Sequence, residues 1–304
     1  MKVFIAGATG VLGTRVVKLL VNNGHLVVGL ARSKEKENQL KEIGADAIQV
    51  DLFDKKQLIK ATQSCNAILH LATSIPQKTM PKLKDWHLND RIRIEGTRNL
   101  VSAAQHNNIS RFIGQSITAI YGQQNGHFVD DRTPIPSEPI KMLESAIEME
   151  SIIMNSLKND YLIFRFSTFY SSDAFHTQDL LRNIKKGKLP LIGNGEFFWN
   201  FIHTDDAAAS IVYGLENYEN LQGKILNVSD YMPITYYDFL SNAKGLLKGK
   251  KPLKLPHWLV KLVLGNEVYR FLTNSYRLKK PQELKGLTFD RMNFLEEIKS
   301  MNIK

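Results

Sequence analysis

The chain opens on an apolar run, Lys2 to Ala6, that ends in Gly7, Ala8, Thr9, Gly10, Val11, Leu12 and Gly13. The run reads as a short buried strand, and the apolar residues from Val11 to Val21 recur at helical spacing. One tight turn must therefore join a strand to a helix. Gly7 can take a dihedral that side chains resist, Gly10 lets backbone approach a ligand closely, and Gly13 lets the helix lie against the strand. The unpaired N–H groups of the helix's first turn then face a phosphate. Three glycines alone are also what a purely structural turn would use. Their place after a strand and at the mouth of a helix favours a dinucleotide pyrophosphate site formed by Gly7, Thr9, Gly10, Val11, Leu12 and Gly13.

The pattern continues as an alternation. Strands are expected at Val27 to Ala31, Ala47 to Val50, Ala67 to Leu71, Arg111 to Ile117 and Tyr161 to Phe166. Helical patterns at Val11–Asn22, Lys34–Ile43, Lys55–Thr62, Arg91–His106 and Glu144–Leu157 separate them. This order predicts an α/β chain with a Rossmann-type parallel sheet covered by helices on both faces. Beyond Phe166 the pattern loosens into aromatic loops, helices at Gln178–Lys186 and Asp205–Leu215, a strand at Lys224–Val228, an apolar stretch at Leu255–Leu264 and final short helices. Residues 1–165 are thus expected to form the dinucleotide-binding core, with 196–228 returning to it. Residues 166–195 and 229–304 should form a smaller C-terminal substrate lobe.

Composition narrows the class further. With 304 residues, 43% hydrophobic, the chain can bury a large core, and it contains no apolar span long enough to cross a bilayer. No basic-then-apolar leader precedes Val3, so the expectation is a cytoplasmic protein without a membrane partner. The single cysteine, Cys65, can close no intrachain disulfide, and no metal site is expected. The formal net charge of +10 comes from scattered lysines, denser from Lys244 to Lys285. It reads as solvated surface that attracts an anionic ligand, not as a nucleic-acid face.

The residues after the second strand bear on the cofactor. A carboxylate there would receive the ribose hydroxyls of NAD, whereas Arg32, with Ser33 and Lys34 beside it, could hold a 2′-phosphate. The expectation is NADP(H) in preference to NAD(H). Asp51 and Leu52 follow the third strand and could meet the adenine, although an aspartate there could equally cap a helix.

These motifs, in this order, make the chain resemble the extended or atypical short-chain dehydrogenase/reductase superfamily, and within it the epimerase/dehydratase branch, over nearly its full length. The glycine motif matches Gly7, Gly10 and Gly13, and the family's acidic pair matches Asp51 and Asp54. His70, Leu71 and Ala72, followed by Thr73, match a cofactor-contact segment after the fourth strand. Gly96, Thr97, Asn99 and Leu100 match the central helix. Ser116, Ile120, Tyr121 and Gly122 match the segment after the fifth strand. Gly193, Gly195 and the run Phe201, Ile202, His203, Asp205, Asp206, Ala207 match a later signature. The resemblance implies a cofactor contact at Ser116 and a possible homodimer through the helices Arg91–His106 and Glu144–Leu157.

The resemblance also exposes a gap. The family's catalytic serine, tyrosine and lysine fall on Ile117, Met142 and Ala146, none of which can orient a substrate oxygen, transfer a proton or supply charge. Tyr121 is the weak remaining candidate acid, although it could equally fix the loop. Glu144 and Glu148 lie one helical turn apart but also resemble solvated surface. Arg93 occupies the position of a family asparagine, where it could bind an anion or pair with Glu95 or Asp90. Among the aromatic residues, Tyr121, Phe169, Tyr170, Phe198 and Trp199 are the candidate substrate contacts. The reading is an NADP-dependent oxidoreductase acting on a small carbonyl or alcohol compound without the usual Tyr-Lys pair. The alternative is a catalytically inactive NAD(P)-binding regulator or redox sensor responding to a small-molecule effector.

Overall fold

The computed structural model describes residues 1–76, 83–289 and 293–301. Its centre is a seven-stranded sheet whose strands, in chain order, are β1 (Lys2–Ala6), β2 (Leu26–Ala31), β3 (Asp46–Gln49), β4 (Ala67–His70), β5 (Arg111–Ile117), β6 (Leu162–Phe166) and β7 (Lys224–Val228). Their spatial order is β7-β6-β5-β4-β1-β2-β3. Parallel registers pair Val3 with Val27 and with Ala67, Val28 with Asp46, and Ala67 with Arg111. The strand order reverses direction beside β1, the switch point where α/β sheets bind ligands at the strands' carboxyl ends.

Local chemistry explains the boundaries. Helix Val11–Asn22 buries Leu12, Val16, Val17 and Leu20, the period-3.6 stripe anticipated from the sequence. Ser33 and Asp54 cap the next two helices, their oxygens accepting from the Lys36 and Gln57 backbone N–H groups. The long helix expected at Arg91–His106 is in fact three pieces. An α-helix at His87–Arg91 and another at Thr97–His106 are joined by one π turn, Ile92–Gly96. A π turn widens the ring by one residue and re-aims the side chains it carries, Arg93 among them.

The chain divides into two compact units. The first comprises Met1–Ile117, Ser145–Arg165 and Thr204–Leu226, and the second Thr118–Glu144, Phe166–His203 and Asn227–Lys304. In the first, Phe4, Ile68, Leu100, Phe112 and Ile163 form a core between sheet and helices. In the second, Tyr170, Phe197, Phe201, Tyr236, Phe239 and Phe294 form an aromatic core. The apolar stretch after Leu255 becomes helix His257–Leu264. Residues 290–292 and 302–304, within the stretch of final short helices, lie outside the described residues.

Candidate dinucleotide site

The first unit carries a cavity of about 510 Å³ lined by Gly7, Thr9 and Gly10 of the turn, Ala31 and Arg32 after β2, Asp51, Leu52 and Phe53 after β3, and Leu71, Ala72 and Thr73 after β4. Each glycine has a separate reason. Gly7 has φ +90°, and a Cβ there would lie 2.5 Å from the Ala72 backbone nitrogen. A Cβ on Gly13 would fall 2.0 Å from the Gly7 carbonyl oxygen, so the helix could not sit where it does. Gly10 is different: a Cβ would meet only the Gly7 oxygen, at 3.3 Å, and its outer side is open to the cavity. No side chain caps helix Val11–Asn22, so its first-turn N–H groups stay free for an anion. Val11 is exposed and Leu12 is buried, and neither is among the residues that line the cavity. An open glycine, an uncapped helix start and a cavity running from β2 to β4 together fit the pyrophosphate and adenosine of a dinucleotide.

The residues after β2 and β3 divide their work. Arg32 is exposed and lines the cavity. Ser33 is used as the cap of the next helix, and Lys34 pairs with Glu37 at 3.0 Å, a carboxylate that also holds Lys41 at 2.6 Å. Two of the three groups expected to hold a 2′-phosphate are thus committed to their own helix. Asp54, not Asp51, caps the helix Lys55–Thr62, while Asp51 accepts from the Phe53 N–H at 2.9 Å and faces the cavity. Asn99 braces the same loop by donating to the Leu52 carbonyl at 3.1 Å. Lys36, Gln49, Phe53, Gln57, Leu88 and Ile92 also line the cavity. They carry no motif, and only the fold brings them there.

Below the cavity, at the ends of β4 and β5, lies a buried polar cluster. His70 is fully buried, its Nε2 3.0 Å from the Thr97 hydroxyl, and burial pushes its pKa down to about 4, so it is neutral. The Ser116 hydroxyl and His70 Nδ1 are buried without a partner. Ile117 closes β5 half-buried, and Ala146 is fully buried on helix Glu144–Leu157. Lys141, the lysine nearest in sequence, is exposed and does not fill that place.

A cation is nevertheless present. Arg93, only 8% exposed, donates from Nη1 to the Ser145 hydroxyl at 3.4 Å, one residue before Ala146. Ser145 in turn donates to Asp90 at 2.7 Å. Desolvation lowers the Arg93 pKa to about 10, against the pull of Asp90 and Glu150. Glu150 receives Arg165 through both oxygens, at 2.9 and 2.7 Å, and both side chains are buried. Of the two partners anticipated for Arg93, Glu95 is taken by Arg91 at 2.6 Å, leaving Asp90.

In the second unit, the candidate substrate residues are mostly packed. Tyr121 is fully buried, donates to the Asn227 side-chain oxygen at 2.9 Å and meets Tyr276 edge-on. Met142 is buried in a short 3₁₀ turn. Tyr170 stacks on Phe294 with centroids 4.5 Å apart, and Trp199 packs on Tyr236 while its indole N–H donates to the Leu272 carbonyl. Phe169 lies 5.3 Å from Phe166, and Phe198 sits under the Arg277 guanidinium at 5.1 Å. Phe169, Phe198 and Trp199 are half-buried. In the first unit, Glu148 is paired with Arg98 at 2.6 Å on an exposed face.

Fold and cavity define a Rossmann-type dinucleotide-binding protein. The chain belongs to the NAD dependent epimerase/dehydratase family, whose model matches residues 3–229. A 3-diazoavenalumate denitrifying reductase of Streptomyces sp. is 27% identical over 275 residues, covering 87% of this chain and 88% of the relative. Among solved structures, the Bacillus cereus UDP-glucuronic acid 4-epimerase in complex with NAD shares the fold with a TM-score of 0.76, at 19% identity, over 99% of this chain and 97% of that one. The Thermus thermophilus UDP-glucose 4-epimerase complex with NAD does so at 0.75 and 18% identity, over 98% and 97%.

These findings correct the cofactor expected from Arg32. The family is described as NAD dependent. Of the three groups expected to hold a 2′-phosphate, Ser33 is used as a helix cap and Lys34 is held by Glu37, which leaves Arg32 alone of them on the cavity, with Lys36. The NADP dependence of the expected oxidoreductase is corrected with it, because the family is described as NAD dependent. As for membranes, no helix among the described residues is long and apolar enough to cross one.

Proposed function

We propose that the protein is an NAD-dependent oxidoreductase of the epimerase and dehydratase type, acting on a small sugar nucleotide. The observation that carries this reading is the glycine turn opening onto a dinucleotide-sized cavity inside the span matched by the family model. Two of the solved proteins sharing the fold are epimerases named for UDP-sugars, which is the ground for the substrate class.

When bound, NAD accepts and returns a hydride. The chain's own part is to hold it and to shape the charge nearby. Gly7 and Gly10 with the first-turn N–H groups would hold the pyrophosphate, Gly13 would let the helix lie close enough for this, Arg32, Asp51 and Leu52 would flank the adenosine, and Leu71, Ala72 and Thr73 would line the rest of the site. Arg93 supplies a positive charge beside Ala146, where the family has lysine, but it is not a proton carrier at neutral pH. With Ile117 and Met142 unable to exchange protons, the substrate hydroxyl exchanges its proton with water. Slow turnover follows, since a positioned general acid or base contributes about 10² to 10⁴ in rate.

Calorimetric titration with NAD, then with UDP-glucose and UDP-glucuronic acid on the NAD complex, tests both halves. Binding of NAD followed by a UDP-sugar, with slow appearance of NADH absorbance or of the epimer, is the expected result. Failure of NAD to bind overturns the whole reading, and NAD binding without any UDP-sugar response overturns the substrate class alone.

A further inference from the structure

Helix His257–Leu264 is apolar on two faces. Val260 is buried and Leu264 packs against the aromatic core of the second unit, as the inward face of a surface helix should. The opposite face has no such cover. Trp258, Leu262 and Val263 are 66%, 75% and 68% exposed, and Leu253, just upstream, is 67% exposed. Successive residues turn by about 100°, so Trp258 and Leu262 stand one above the other, with Val263 beside them. The exposed lysines Lys250, Lys251 and Lys254 stand within eight residues upstream of Trp258, and the exposed Lys261 is on the helix itself. Lys254 and Lys261 keep local contacts, to the Asn194 side chain at 3.0 Å and over the Tyr269 ring at 4.8 Å. Neither contact removes their charge.

We propose that this face docks the protein on an anionic lipid surface. A tryptophan, two leucines and a valine with four lysines close by in the chain combine the two elements of interfacial attachment: apolar side chains that enter the headgroup boundary and cations that meet acidic headgroups. The occupant is not a second copy of this chain. Isologous pairing would bring two copies of this lysine-rich segment together on molecules of formal net charge +10. Four apolar side chains also fall well short of the roughly 20 residues a side that a stable interface uses. The attachment is peripheral, and it is independent of the dinucleotide cavity, which lies wholly in the other unit.

The test is co-sedimentation of the full chain with vesicles of phosphatidylcholine alone or with about a third phosphatidylserine. The protein pellets with the acidic vesicles, not with the neutral ones, and raising the salt releases it. The double variants Trp258→Ala/Leu262→Ala and Lys251→Gln/Lys254→Gln each weaken binding at least tenfold. Both keep wild-type melting temperature and NAD affinity, because all four side chains are exposed. The proposal is overturned if the protein ignores acidic vesicles, or if the Trp258→Ala/Leu262→Ala variant binds them as tightly as wild type. It is equally overturned if sedimentation equilibrium shows a dimer that Leu262→Asp dissociates while vesicles are not bound. NAD binding is read on the same samples, so loss of the lipid contact and failure of the cofactor assignment are separable.

Discussion

Replacing Gly10 with alanine should leave the fold intact and damage the cofactor site, whereas the same change at Gly13 should damage the fold and, by displacing the helix start, the site with it. Gly10 sits at φ −80°, ψ 172°, which alanine adopts freely, and its new Cβ would meet a single atom at 3.3 Å. Losing glycine at a helix N-cap costs about 0.5–1 kcal/mol, and the stiffer unfolded chain returns about 0.4–1 kcal/mol, so stability changes by less than about 1 kcal/mol. For a chain of this size that is a shift of only about 2 °C in melting temperature. The methyl group would instead occupy the open side of the turn, where a phosphate oxygen must approach the backbone. Loss of one charge-assisted hydrogen bond, about 1.5–3 kcal/mol, raises the Kd for NAD roughly 10- to 100-fold. At Gly13 the Cβ would lie 2.0 Å from one backbone atom and under 3 Å from two more, with no flexible side chain to yield. The helix must then move, at about 3 kcal/mol or more. Thermal melts with calorimetric NAD titration on both variants decide the matter. A Gly10→Ala protein that binds NAD within twofold of wild type would refute the placement of the phosphate. One that melts as low as Gly13→Ala would refute the separation of roles.

Three further expectations concern the buried polar cluster. Glu150→Ala removes the carboxylate that holds the buried Arg165 through both oxygens and should cost about 3–5 kcal/mol in urea unfolding, much of it recovered in Glu150→Ala/Arg165→Met; equal losses in both would contradict the buried pair. His70 has a folded pKa of about 4 against an ordinary 6.5, so the unfolded chain binds the extra proton between those values. Its contribution is complete above pH 6.5 and is lost as pH falls toward 4, about 3 kcal/mol in all, and His70→Gln should remove that part of the stability profile. Ala146→Lys buries an ammonium beside the Arg93 cluster and should destabilise strongly, while Arg93→Asn/Ala146→Lys should be the milder change; additive losses in a double-mutant cycle would show that the two positions do not share one charge.

The sheet was legible because its strands are short apolar runs bounded by helices with clean periodicity. The expected strand Arg111 to Ile117 and helices Val11–Asn22 and Lys55–Thr62 coincide with the observed ones. What the sequence hid was whatever depends on three-dimensional neighbours. The π turn at Ile92–Gly96 has no periodic signature, yet it carries Arg93 to Ser145. Asp51 and Asp54 are alike in the sequence, and only the structure assigns the cap to one and the cavity to the other. The aromatic residues after Phe166 suggested a pocket, but periodicity cannot distinguish an aromatic lining from an aromatic core, and Tyr170 and Trp199 pack in the latter. Arg32 misled for the opposite reason: its charge was visible, whereas the commitments of Ser33 and Lys34 were not.

The most direct measurement is a paired calorimetric titration of the intact protein with NAD and with NADP under identical salt. NAD should bind at a single site per chain and at least about tenfold more tightly than NADP, a difference of about 1.4 kcal/mol. Equal or tighter binding of NADP would contradict the cofactor assignment, returning Arg32 to the role of a phosphate ligand.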